Sequence, residues 1–133
     1  MEKIHAECGT TLVVFVGSET WKDGLTFVTD DTDYLQVGTW LYDEGKKLDR
    51  HHHNIVPRQS NLTQECVAVL SGKLLVKIYD LQKKYVTKFN MHPGDFAVFL
   101  AGGHEYEILK DRTRIIETKN GPFPGVALDK TRF

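Results

Sequence analysis

The chain has 133 residues, 41% hydrophobic and 26% charged, with a formal net charge of −1. That length fits one domain, residues 1–133, and the near-neutral charge without Lys/Arg clusters argues against nucleic-acid or acidic-membrane partners. The longest apolar runs, such as LVVFV, fall far short of the roughly 20 residues of a membrane helix, and the polar start MEKIHAECG has no signal-peptide core, so a cytoplasmic chain is expected.

In chain order, the residues up to about Thr10 carry no clear period. Strands are then expected at 11–16, 25–29, 34–43, 47–54, 64–71, 73–80, 83–91, 95–100, 104–110 and 113–119. Turn residues separate many of them: Asp23-Gly24, Glu44-Gly45, Ser71-Gly72, Pro93-Gly94 and Gly102-Gly103. Alanine is scarce and Val, Ile and Thr are plentiful, which favours pleated structure over helix. In 73–80, Leu74, Val76 and Ile78 share a face opposite Lys73, Lys77 and Tyr79. In 83–91, Tyr85, Thr87, Phe89 and Met91 oppose Lys84, Lys88 and Asn90. One dry and one wet face indicates an antiparallel sheet closed over a core. The run ECVAVL has no wet face, so it is expected to be buried on both sides. The whole reads as all-β, a sandwich or barrel with a core of about 11–119. The tail 120–133, with two prolines and two glycines, reads as coil.

Cys8 and Cys66 lack metal-binding spacing and read as reduced thiols. Asn61-Leu62-Thr63 matches a glycosylation acceptor that has no meaning without secretion. Asp30-Asp31-x-Asp33 lacks the glycine and spacing of a calcium loop and reads as a turn.

The run His51-His52-His53 raises a metal question. On a strand, His51 and His53 would point to one side, about 7 Å apart, and His52 to the other. Two such imidazoles can converge on one ion; taken alone, a polar surface strand whose histidines touch only water is the simpler reading. Their surroundings add spacing: Gly45, five residues, His51-x-His53; Glu65, six residues, Gly72; then Gly94, and Gly102-Gly103-His104.

This pattern resembles the two motifs of the cupin superfamily, G(X)5HXH(X)3–4E(X)6G and G(X)5PXG(X)2H(X)3N, over Gly45 to about Ile108. The resemblance implies a single-domain cupin β-barrel of the antiparallel jelly-roll type. It also implies one divalent transition metal (Fe, Mn, Ni, Zn or Cu) held by His51, His53, Glu65 and His104. Three departures stand out. Eleven residues separate His53 from Glu65, so Gln59 is the alternative fourth ligand; Leu100 replaces the proline, and one residue rather than two separates Gly102 from His104; and Ile108 replaces the asparagine. The extra residues make 54–64 a long loop whose role is open. His5 and His92 are placed worse than His104.

Tyr106 shares parity with His104, and reads either as a catalytic or substrate-orienting phenol or as a lining aromatic. Trp40, with Tyr42, lines either a pocket or a partner-facing sheet. Arg58 and Arg50 either hold an anionic group of a substrate or are solvated. Glu117 and Lys119 share a face of the last strand and are expected to face solvent. The leading expectation is a metal-dependent enzyme of dioxygenase, isomerase or lyase type acting on a small polar metabolite. A metal-independent sugar-nucleotide isomerase or epimerase is the alternative, and a non-catalytic small-molecule-binding module the third. The resemblance and the need to cover edge strands add a homodimer.

Overall fold

Strands form both where apolar and polar residues alternate, as in residues 74–79, and where an apolar run is covered on both sides, as in residues 65–69 and 96–99. The computed structural model describes residues 1–133. Its strands are β1 (Glu2–His5), β2 (Thr11–Val16), β3 (Gly24–Phe27), β4 (Gly38–Leu41), β5 (Glu65–Ser71), β6 (Leu74–Tyr79), β7 (Tyr85–Met91), β8 (Phe96–Phe99), β9 (Gly103–Ile108) and β10 (Arg114–Lys119). A one-turn helix, α1 (Val126–Asp129), interrupts the tail expected to be coil. No helix is long and apolar enough to cross a membrane.

Every pairing is antiparallel. The strands make a five-stranded sheet of order β1-β2-β8-β5-β10, a three-stranded sheet β7-β6-β9 and a hairpin β3-β4. No barrel closes: β1 and β10 remain edges of one sheet, β7 and β9 of the other. The fold is thus mostly β and antiparallel, as the composition indicates.

The two larger sheets share one apolar cluster. Val67 and Val69 of β5 and Ala97 and Phe99 of β8 meet Leu74, Val76 and Ile78 of β6 and Met91 of β7. Fully burying one such aliphatic side chain stabilises by about 1.5–3 kcal/mol. Strand β6 keeps Leu74, Val76 and Ile78 inside, as its alternation predicts. On β7 the register slips so that Ile78 opposes Thr87 and Tyr79 opposes Tyr85. Val86 is the extra residue of this bulge, and it packs on the core although its parity alone would turn it away.

The other face of the five-stranded sheet is covered too. Val14, Val16, Phe96, Val98 and Leu100 form a second cluster with Val28, packed by Leu35, Val37, Cys66 and Ala68. Strand β5 therefore has apolar contacts on both faces, as expected of ECVAVL, except at Leu70, which is exposed.

One expected strand is corrected. Residues 47–54 form no strand, and every residue from Leu41 to Thr63 is exposed. KLDRHHHN offers Leu48 as its single apolar side chain, so pairing there would bury almost nothing against the entropy of ordering it. The first strand, β1, was not expected; only Ile4 of EKIH is buried.

Candidate functional site

The start of β5 is pinned from both sides. Gln64 is 5% exposed. Its side-chain oxygen accepts from the Leu35 amide at 2.9 Å, and its amide nitrogen donates to the Leu100 carbonyl at 3.3 Å. Its backbone N–H donates to Asn120 Oδ1 at 2.7 Å. With Gln64 fixed on the outer face, the pleat turns Glu65 to the inner face, between the two sheets.

The opposite wall is β9. Gly102 approaches it with φ +74, and a Cβ there would lie 2.4 Å from the Tyr79 carbonyl oxygen. Only glycine combines that left-handed conformation with that close approach. Strand β9 then pairs His104 with Ile78 and Tyr106 with Val76, both of which point inward.

These elements bring two polar side chains to one carboxylate oxygen. His104 Nε2 lies 2.8 Å from Glu65 Oε1. Tyr106 Oη donates to the same oxygen at 3.0 Å. Phe99, the direct neighbour of Glu65 on β8, forms the apolar floor, with its ring centroid 4.5 Å from that of His104 and 5.7 Å from that of Tyr106. The Glu65 side chain is 5% exposed and that of His104 25%, so of this pair the imidazole reaches solvent; Tyr106 is half-buried.

Burial pushes the Glu65 carboxyl up, but His104, Tyr106 and the charge of Lys130 together outweigh it and leave it below its ordinary 4.5. The Tyr106 phenol is raised far above its ordinary 10.0, first by burial and then by the charge and hydrogen bond of Glu65. At neutral pH the cluster therefore holds an ionised carboxylate and a neutral phenol. The carboxylate can orient and charge-stabilise the imidazole, the phenol locks the carboxylate, and the imidazole can move a proton to or from a bound molecule.

Of the residues singled out in the sequence, the structure joins Glu65, His104 and Tyr106. It does not join the others to them. His51 and His53 sit on the exposed 41–63 segment with ring centroids 5.4 Å apart, and His51 Nδ1 lies 3.0 Å from the Asp49 carbonyl. Gln59 is exposed on the same segment. Arg58 reaches only its neighbour Val56, at 3.5 Å. Trp40 lies on the β3-β4 hairpin opposite Leu25 and edge-on to Tyr42.

No group of three or more His, Cys, Asp or Glu side chains is arranged to hold a metal ion. Carboxylate and imidazole are suitable donors for a divalent transition ion, but two assembled donors fall short of the three or four that hold such an ion.

No family model, curated protein or solved structure matches the chain.

Residues missed in the sequence complete the surroundings. Glu117 pairs with Val67 and Lys119 with Glu65, so the register places both on the inner face of the sheet, at its rim. The expectation that they face solvent holds for Glu117, which is exposed, and is corrected for Lys119, which is half-buried. Their parity was readable, but the pairing of β10 with β5 was not. Gln64 and Asn120 gave no signal, because their partners lie far away in the chain.

Proposed function

We propose that the chain is an enzyme acting on a small polar metabolite by general acid–base catalysis at Glu65, His104 and Tyr106. The observation that carries this reading is the sharing of Glu65 Oε1 by an imidazole nitrogen at 2.8 Å and a phenol at 3.0 Å. His104 transfers the proton. Glu65 sets its orientation and stabilises the imidazolium that forms. Tyr106, kept neutral, holds Glu65 in place and can donate to a substrate oxygen. Chemistry of this kind suits a metal-independent isomerase or epimerase, including one acting on sugar nucleotides.

A metal-dependent form of the same enzyme is the second reading. It is favoured by the edge-to-face pair of His51 and His53 on a segment that runs directly into Glu65. Folding of that segment against the site would add two imidazoles to the carboxylate and His104. The cupin-type jelly roll belongs to the proposal too, supported by the motif resemblance and by the two antiparallel sheets facing across one core.

The test is turnover of small polar metabolites, sugar nucleotides among them, by untagged protein with and without chelator. Native mass spectrometry of the same sample reports any bound metal. The acid–base reading expects activity that survives chelation and falls in Glu65→Gln and His104→Gln. Stoichiometric metal, lost on chelation together with activity and weakened by His51→Ala and His53→Ala, selects the metal form. Activity indifferent to Glu65 and His104 would sink both.

A further inference from the structure

The residues after β10 run from the five-stranded sheet to the three-stranded one. They begin at Asn120, whose side-chain oxygen accepts from the Gln64 amide and whose nitrogen donates to Ser60 Oγ at 2.8 Å and the Leu62 carbonyl at 3.1 Å. At the end of α1, Asp129 accepts from Thr63 Oγ1 at 3.0 Å and from Lys119 Nζ at 3.3 Å, one donor for each carboxylate oxygen. The segment ends with Phe133 edge-on to Tyr79, at 5.4 Å between centroids, on the three-stranded sheet. Gly103 leaves room for that ring: a Cβ there would lie 2.7 Å from Phe133 Cζ.

Each anchor adjoins a site residue. Thr63 lies two positions before Glu65, Lys119 is the strand partner of Glu65, and Gly103 immediately precedes His104. The chain between the anchors thus links the strand of Glu65 to the strand of His104, and the charge of Lys130 helps to hold the Glu65 carboxyl down.

The segment is not held as core is held. Phe123, Val126 and Phe133 are each more than half exposed and Leu128 is 82% exposed. Few buried apolar contacts and a few polar pins describe an element that opens at low cost while the sheets stay folded.

We propose that residues 120–133 are a strap that gates the Glu65–His104–Tyr106 site, latched by Asp129 on Thr63 and Lys119 and by Phe133 on Gly103 and Tyr79. Its significance rests on the acid–base reading above, but its test needs no substrate. The rate at which diethyl pyrocarbonate modifies His104 is followed by mass spectrometry in the full chain, with the exposed His92 as internal reference. Asp129→Ala combined with Phe133→Ala releases both latches. The expected result is a rise of about tenfold in the His104 rate with His92 unchanged, as for a local opening that leaves the sheets intact. Thermal unfolding of the variant checks that the sheets persist.

Should that variant fail to fold, Gly103→Ala displaces the Phe133 ring by a single methyl group, at a position whose backbone tolerates a side chain, and must also speed modification. A His104 rate unchanged in the folded variants overturns the gate. A gate that opens as expected, beside turnover indifferent to Glu65→Gln, overturns the catalytic reading alone.

Discussion

The hydrogen bond from Tyr106 to Glu65 is open to direct measurement. Tyr106→Phe removes the Oη that donates at 3.0 Å to a buried carboxylate, and keeps the ring against Phe99 and His104. A hydrogen bond to a charged acceptor contributes about 1.5–3 kcal/mol and a neutral one about 0.5–1.5 kcal/mol. The substitution is expected to lower the unfolding free energy by about 2 kcal/mol at pH 7. In a Glu65→Gln background, where the acceptor is neutral, the same change is expected to cost about 1 kcal/mol. The coupling of about 1 kcal/mol exceeds the roughly 0.3–0.5 kcal/mol within which independent sites add. Urea denaturation of the four proteins provides the cycle. The pH dependence is a second readout. Glu65 is held below its ordinary 4.5 when folded, so its stabilisation is present above that pH and lost as pH falls through the lower, folded value. Without Tyr106 burial counts for more, the folded value climbs back, and the acid-sensitive part of the stability shrinks. The deficit of Tyr106→Phe is therefore full at neutral pH and narrows as the pH falls and Glu65 takes up its proton. A cost below about 0.5 kcal/mol, equal in both backgrounds and flat with pH, would refute the shared-oxygen geometry.

Two further outcomes follow from the structure. Burial raises the Cys66 thiol to about 11, while hydrogen bonding to Thr10 lowers that of the exposed Cys8. Iodoacetamide at pH 8 should label Cys8 rapidly and Cys66 slowly, because only about one Cys66 in a thousand is thiolate there; equal labelling, followed by peptide mass spectrometry, would contradict the packing of β5. The β3-β4 hairpin presents Leu25, Phe27 and Trp40, each about half exposed, on one face. A homodimer that covers this face should be seen by light scattering, and Phe27→Ser with Trp40→Ser should dissociate it; a wild-type monomer at tens of micromolar would dismiss that pairing.

What could be read in advance was whatever one strand decides for itself. Alternation identified the dry face of β6, the absence of alternation marked β5 as covered on both sides, and parity put His104 and Tyr106 on one face. What could not be read depends on partners distant in the chain. Lys119 looked like a solvent charge until the pairing of β10 with β5 set it beside Glu65. Val86 turned inward through a bulge that no local pattern announces. The histidine run looked like a strand because spacing of two suits one, but a strand also needs a neighbour, and none pairs with 47–54.

The order β1-β2-β8-β5-β10 carries a kinetic consequence. Glu65 lies on a strand whose two neighbours both come later in the chain: Phe99 flanks it on one side and Lys119 on the other. Only β1 with β2, within that sheet, can pair by closing a short loop. The rest must wait for long loop closures, which points to folding in milliseconds to seconds rather than microseconds. The carboxylate thus acquires its imidazole and phenol only when most of the chain has been threaded into place. Reactivity at this centre would report completed folding, and partly folded species would be chemically silent.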